Sequence, residues 1–459
     1  MTNSVSGIFL LMVTLFSFSS GKAQEKSHFV PLRTLLKQAV SNYPLLKSRY
    51  YEIQAAEQGV DASKRALVPT LDASYQANFA TYNNIIGMAN SGSMVPISGP
   101  PSTENNYKGV VGSSVGLLLN WQPITFGQRS AQVDYSKAGL IFTTANTQNE
   151  VFQHEVRVIN AYLDALVAKE MVVVYEKNKI RTESNYAAIK SLVMSGIKPG
   201  LDSSMFKAEL SRSKIELLNS RSYWQQSVIT LSQYLASDSA IDVADSSYFS
   251  RLPQISMPAT LDSARHPLLS LYSSNISLSK AKGKMLSQTL LPTLGLWGTT
   301  FARGSGVRFD GTANASDGLN FQRYNYGIGL QLSVPLLQYA RISPQIQQQQ
   351  LLVKSNEEKL KEVSLQLRKQ LEMADATLYN AWSAARENPV LLESSDFSYR
   401  AMLSRYQSGL ANFSDLVQAQ YSLVRAEAEM KAAYVNVWKA LLIKAAVEGN
   451  LNLFLNQVN

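Results

Sequence analysis

The hydrophobic pattern of this chain changes period twice, in the same order each time. From Leu71, the residues Leu71, Ala73, Tyr75, Ala77 and Phe79 fall on one face, against Asp72, Ser74, Gln76 and Asn78 on the other. Such alternation predicts a β-strand, because successive side chains point to opposite sides of a pleated backbone. A return strand puts Val115, Leu117, Leu119 and Trp121 on its apolar face. Much later, Tyr326, Ile328, Leu330, Leu332 and Val334 alternate with Asn325, Gly327, Gly329, Gln331 and Ser333. Each run is about ten residues, the length of a tilted membrane strand. A third strand near Thr293–Arg303 divides its bulky residues between Leu294/Leu296 and Trp297/Phe301, which a one-residue slip relative to the first strand would explain. Polar loops rich in Gly, Ser, Asn and Pro fill 83–111 and 304–324. The same pattern also fits soluble amphipathic hairpins packed on helices.

After each hairpin the period lengthens. Gly127 to Ser195 is almost free of Gly and Pro, and at ~1.5 Å per residue it predicts about 100 Å of helix. Arg341 to Ser408 predicts a second helix of that length, with apolar positions at Leu360, Val363, Leu367, Leu371, Ala374, Leu378 and Trp382. The spacing of eleven between Leu360, Leu371 and Trp382 favours nearly straight or slightly right-handed packing. Pro389 predicts a kink or break there. Further helices at 203–235 and 416–449 follow tight turns, making two long helical hairpins.

The resulting order is a duplication. Asn42-Tyr43-Pro44-Leu45-Leu46 and Pro69-Thr70-Leu71 recur as Arg265-His266-Pro267-Leu268-Leu269 and Pro292-Thr293-Leu294, offset by 223 residues. Pro123-Ile124-Thr125-Phe126-Gly127-Gln128-Arg129 matches Pro335-Leu336-Leu337-Gln338-Tyr339-Ala340-Arg341, and Ser195-Gly196 with Asp202 matches Ser408-Gly409 with Asp415. The organisation read from this is a signal segment at 1–23, a first repeat at 24–235, a connector at 236–263 and a second repeat at 264–459. Within the repeats, the β-hairpins fall at about 70–122 and 293–334, and the helical hairpins at about 127–235 and 341–449. The fold class expected is α+β, mainly α.

Composition narrows the setting. Hydrophobic residues make up 45% of 459, and there is no cysteine. That excludes disulfides, thiolate metal sites and a cysteine-linked lipid anchor. Ile8 to Phe16 followed by Gly21-Lys22-Ala23 reads as a secretory signal cut before Gln24, although no Lys or Arg precedes its apolar core. After it, no apolar run reaches the ~18–20 residues of a membrane helix. The net charge is +9, but the Lys and Arg are scattered along helical segments, and an exported chain is a poor nucleic-acid partner. Of three histidines, His28, His154 and His266, only His154-Glu155 opens a zinc-helix pattern, and Val158 breaks it. The Asp310–Gly318 stretch reads as a solvated turn and not a cation site. No nucleophile elbow or phosphate loop is present, and no cofactor is implied.

Four strands cannot close a membrane barrel, and an open edge in lipid leaves backbone groups unpaired at several kcal/mol each. If the hairpins sit in the bilayer, several copies must join, with the long helices lining something extended such as a tube. Ala426, Ala428, Ala432, Ala433, Ala440, Ala445 and Ala446 would allow close packing in its wall. The doubled landmarks (Asn42–Leu46 with Leu67–Leu71, Pro123–Arg129, and Ser195-Gly196 followed by Asp202) resemble the TolC-like outer-membrane efflux protein family over nearly the whole mature chain. The resemblance implies a homotrimer whose twelve strands close one barrel in outer-membrane lipid, continued by a periplasmic α-helical barrel. It implies as partners a periplasmic adaptor, or membrane fusion, protein and an inner-membrane transporter. A soluble periplasmic scaffold or adaptor is the alternative, and an external hydrolase a distant third.

The resemblance also assigns positions. The turns at Ser195, Gly196 and Ile197 and at Ser408, Gly409 and Leu410 would dock on the adaptor. Asp415 would form a ring at the periplasmic constriction, with Asp202 and Gln418 beside it. Gln418 stands where the best-known member has a second aspartate, and Ala411 where it has a bracing arginine, which implies a ring of lower charge with fewer salt links. Read without the family, Gly196 and Gly409 are helix C-cap glycines, Asp202 fits an N-cap, and Asn412 with Asp415 resembles a capping pair. Those roles are compatible with facing a pore. Small-molecule efflux is preferred to protein or metal-ion export, the lack of Met- or His-rich clusters disfavouring a metal specialist, but the cargo itself is not legible here.

Overall fold

The computed structural model describes residues 31–83, 102–237, 243, 245–255, 266–308, 310 and 312–458. The signal reading at 1–23 and most of the connector lie outside the described residues. Helix α1 (Leu32–Asn42) leads into α2 (Pro44–Arg65), strands β1 (Thr70–Ala80) and β2 (Val110–Ile124), and helices α3 (Gln128–Met194) and α4 (Gly200–Leu235). After the four-residue α5 (Ser247–Ser250) the order repeats: α6 (Pro267–Gln288), β3 (Thr293–Ser305), β4 (Arg323–Ser333), α7 (Gln338–Gln407) and α8 (Phe413–Val447), then a short α9 (Asn452–Leu455). Both α2 and α6 begin with proline, whose missing N–H is one no helix start can satisfy internally. His266 strengthens the second start, its Nδ1 accepting from the Leu268 N–H at 3.1 Å.

The strands form one antiparallel sheet in the order β1-β2-β3-β4. Register places Leu71, Tyr75 and Phe79 beside Leu119, Val115 and Val111. The same face continues through Leu294 and Leu296 to Leu332, Leu330, Ile328, Tyr326 and Tyr324. The opposite face carries Asp72, Ser74, Gln76, Asn78, Ser114, Asn120, Arg303, Asn325, Gln331 and Ser333. One side is therefore an apolar band ending in exposed aromatics, and the other is polar.

The slip expected in strand three is absent: β3 pairs with β4 without interruption from Thr293↔Ser333 to Arg303↔Arg323. The extra residue lies in β2, where Trp121 faces Leu296 and Ile124 faces Leu294, bulging the strand over Gln122-Pro123. Proline has no N–H to give a ladder, so a bulge suits it. Trp297 and Phe301 stand on the polar face by plain alternation with Leu294 and Leu296 along an unbroken β3. The Trp297 indole lies across two glycines of β4, and a Cβ on Gly329 would come within 2.7 Å of the ring.

Helices α3, with 67 residues, and α7, with 70, each span about 100 Å. Helix α3 packs on α2 and α6 towards the sheet and on α4 and α8 beyond, while α7 packs on α6 and then α8. Helix α7 runs uninterrupted through both Pro344 and Pro389, so of the kink or break expected at Pro389 the break does not occur. Buried Leu378, Ala385 and Tyr399 hold the chain against its neighbours on both sides of that proline, which offsets the lost hydrogen bond. No helix among the described residues is long and apolar enough to cross a membrane.

Midway along α3 an apolar hub joins both repeats. Leu35 and Ala39 of α1, Ile159, Tyr162 and Leu166 of α3, Leu231 of α4, Leu378 of α7 and Leu441 of α8 meet there. Trp438 is fully buried at its centre, edge-on to Tyr248 and Phe454 at 5.0 and 5.8 Å, and its indole N–H donates to the Tyr248 carbonyl at 3.1 Å. His154 belongs to the flank of this packing, stacked on Tyr43 at 4.1 Å with Nε2 3.0 Å from the Tyr234 carbonyl. Trp438→Ala should cost about 3–5 kcal/mol, read as a lowered thermal unfolding midpoint of the detergent-solubilised protein.

Candidate functional site

The residues expected at the gate and the docking turns lie at the end of the helices farthest from the sheet. Both hairpins turn there by the same backbone device. Gly196 and Gly409 adopt φ of +73° and +76°, a left-handed conformation in which any residue with a Cβ is strained. The Gly196 and Ile197 N–H groups donate to the Val193 and Leu192 carbonyls at 3.0 and 2.9 Å. Gly409 and Leu410 repeat this on Tyr406 and Arg405 at 3.1 and 2.8 Å. The last-turn carbonyls are thus satisfied, and the side chains just outside the helix are thrown outwards. Met194, Ile197 and Leu410 are 80, 67 and 71% exposed.

The two turns are held together above their tips. Phe206 of α4 packs on Tyr406 of α7 at 5.8 Å and edge-on to Phe413 of α8 at 4.8 Å, within a small apolar cluster that includes Ile189, Tyr399, Leu416 and Leu423. Asp202 does not cap α4: the preceding Pro199 occupies the N-cap position, and no side chain bonds there. Its carboxylate accepts instead from the Tyr406 hydroxyl at 2.7 Å, crossing between the hairpins. Asp202 still lies in the first turn of α4, where negative charge suits the helix dipole. Burial and the neighbouring Asp202 both push the Tyr406 phenol up, so it stays protonated as the donor.

One layer higher, α3 carries Asn178, Thr182 and Asn185 on a buried stripe. Gln420 of α8 fits among them, donating through Nε2 to Asn178 Oδ1 at 3.0 Å and Thr182 Oγ1 at 2.6 Å. Asn185 donates to Gln420 Oε1 at 3.3 Å and to the Tyr399 hydroxyl at 2.9 Å. Arg181 pairs with Glu427 at 2.8 Å beside this layer, and Tyr421 bridges Glu209 and Arg212 at 2.5 and 2.7 Å. The α3/α4 hairpin is thus tied to the α7/α8 hairpin by polar contacts at three levels.

Asp415 is placed differently from Asp202. The Asn412 side chain caps α8, its Oδ1 accepting from the Asp415 N–H at 2.9 Å, which leaves the Asp415 carboxylate exposed. Together with Gln418, Ser394, Ser398, Met402 and Ser422 it lines a shallow groove of about 400 Å³ between α7 and α8. The structure therefore brings Asp415 and Gln418 to one groove and sets Asp202 apart, inside the contact between hairpins. Sequence reading missed Tyr406, Tyr399 and Gln420. The available signal was Asn178, Thr182 and Asn185 at helical spacing, polar residues on a stripe that ends in the buried Ile189.

Comparisons with known proteins agree with this architecture. The family described as outer membrane efflux protein matches residues 35–237 and 264–441. The Campylobacter jejuni CmeC outer membrane channel superposes with a TM-score of 0.74 at 12% identity, over 97% of this chain and 94% of that one. Vibrio cholerae outer membrane protein VceC gives 0.71 at 13%, over 91% and 96%. The open state of the Neisseria gonorrhoeae MtrE outer membrane channel gives 0.70 at 14%, over 92% and 89%. No curated protein matches the sequence. Gln420→Leu should orphan the Asn178 amide oxygen, at about 1–3 kcal/mol, while Thr182 and Asn185 each lose one bond but keep the Asn178 carbonyl and the Tyr399 hydroxyl. A markedly lower thermal midpoint by circular dichroism is expected, with the helix content at room temperature unchanged.

Proposed function

The chain belongs to the outer membrane efflux protein family, and from that premise we propose that three copies close a single duct, gated at the helical tips. It is an outer-membrane exit duct, with its helices in the periplasm. The observation that carries the trimer is the four-stranded sheet, apolar on one face, polar on the other and, among the described residues, unpaired along the outer edges of β1 and β4. Lipid tolerates no open edge, so β4 of one copy must pair with β1 of the next until the sheet closes. Two copies would supply eight strands, whose interior side chains fill, whereas three supply twelve and leave a lumen. The soluble-scaffold alternative finds no support in a family of outer membrane proteins, and it would leave the band of Leu, Ile and Tyr in water.

At the tips, Asp415 is the gate residue of this reading. Three exposed carboxylates brought near one axis would attract cations and repel each other. Gln418 lines the same groove without charge. Asp202 acts one step back, as the acceptor that ties the α3/α4 hairpin to Tyr406 of the α7/α8 hairpin. The exposed Met194, Ile197 and Leu410, with Ser195, Gly196, Ser408 and Gly409 shaping their turns, form the surface on which a periplasmic adaptor bridging to an inner-membrane transporter would dock. Apolar side chains clustered at an exposed turn are the usual core of such a contact.

Planar-bilayer recording tests the gate. The Asp415→Ala trimer should lose most of its cation preference, measured as the reversal potential in a salt gradient; an unchanged potential removes Asp415 from the gate. Tyr406→Phe keeps the aromatic packing but deletes the bond to Asp202. It should raise the fraction of time spent at high conductance, and an unaltered record would mean that the contact does not restrain opening.

A further inference from the structure

The polar face of the sheet carries a charge arrangement that the exit-duct reading alone does not require. Arg303 of β3 and Arg323 of β4 are directly opposed cross-strand partners. In an antiparallel pair such residues hold their Cβ atoms about 5 Å apart, and like charges placed so are destabilising. A carboxylate beside the pair would relieve this. Among the described residues neither guanidinium has one: Arg323 donates to the Gln322 carbonyl at 2.9 Å, and no ion pair involves either arginine. The nearest acidic residues of that loop are engaged elsewhere. Asp317 holds Arg308 at 2.9 and 3.2 Å, and Asp310 accepts from Thr312.

Register fixes where the pair points. Gln76, Ser114, Arg303 and Arg323 make one row across the four strands, on the face opposite the band that ends in Tyr324 and Tyr326. The row sits at the strand ends remote from the helices, because α2, α3, α6 and α7 all join the other ends. One row inwards on the same face is Phe301, packed over Gly116.

We propose that Arg303 and Arg323 form an anion-binding ring inside the outer mouth of the duct, taking solutes that carry carboxylate, sulfate or phosphate groups. The inference rests on the trimeric closure argued above. Three copies place six guanidinium groups at one level of the lumen, and rings of arginine are how pores select anions. An anion there would relieve the cross-strand repulsion that the protein leaves uncompensated. Guanidinium forks match such groups two bonds at a time, which a single lysine cannot do. Phe301 beneath them gives an apolar footing for the body of an amphiphilic anion. The mouth would thus prefer one charge sign while Asp415 at the periplasmic tip prefers the other.

The test is block of single-channel current by inorganic pyrophosphate, added to each side in turn, in phospholipid bilayers free of lipopolysaccharide. The wild-type trimer should be blocked from one side, and Arg303→Gln/Arg323→Gln should weaken that block by about tenfold or more. Arg308→Gln, which removes an arginine already neutralised by Asp317, should leave it unchanged. A second variant guards against a fold defect: Arg323→Glu converts the repulsive pair into an attractive one, and should raise the thermal midpoint while abolishing block. Equal block of wild type and the double variant, or a lowered midpoint in Arg323→Glu, overturns the ring. Relief of block by added lipopolysaccharide would assign the arginines to lipid phosphates and overturn a lumenal site. Absence of any wild-type conductance would instead sink the duct reading on which the ring stands.

Discussion

Backbone hydrogen bonding in a solvent that offers none is the constraint on which this structure turns. The sheet ends in β1 on one side and β4 on the other, and among the described residues no strand pairs with their outer edges. In water such edges can be hydrated. In hydrocarbon every open group costs several kcal/mol, so on the proposed reading another copy supplies the missing strands. The apolar band and the polar face, separated cleanly by register, then become the outside and the inside of a closed wall. In that proposed assembly the pair of helices of about 100 Å would continue the wall as a tube.

Along that tube the two packing regions differ in kind. The hub around Trp438, Tyr162 and Leu441 is apolar, and its cohesion falls away only when large surfaces separate, so it anchors both repeats as one unit. The tip is joined by hydroxyl, amide and carboxylate contacts: Tyr406 to Asp202, Gln420 to Asn178 and Thr182, Arg181 to Glu427. Tyr406, Gln420, Asn178 and Thr182 are buried, so these contacts are costly to break while dry, but polar groups that part into water can be rehydrated. An apolar waist and a polar tip are what hairpins need if they are to part at one end without losing the fold.

The duplication explains the layout but not the chemistry. Both turns close with glycine in the same left-handed geometry, yet their acidic residues have diverged. Asp202 is committed to a neighbouring hairpin, while Asp415 is freed for the groove because Asn412 does the capping. Trp297 shows a similar division in the sheet. Its indole occupies the space that Gly327 and Gly329 leave open across the strand pair, an arrangement that only the second copy possesses.

Period and punctuation were enough to read the strands, the long helices and the α+β class, because those depend on local alternation and on proline and glycine at fixed places. The family landmarks and the exposed turns were legible for the same reason. Where the reading went astray, the deciding contact joined residues far apart in sequence. The register of β3 is set by its neighbours and by a bulge at Gln122-Pro123, so Trp297 and Phe301 looked like a slip when viewed along one strand. Pro389 stays inside a continuous helix because tertiary packing on both sides outweighs one missing hydrogen bond. Asp202 reads as a cap until Tyr406, about two hundred residues away, is seen to claim its carboxylate. Sequence determined which elements form and which face of each is apolar. Only the tertiary structure decided which polar groups meet, because hydrogen-bond partners are chosen by proximity in space and leave no period in the chain.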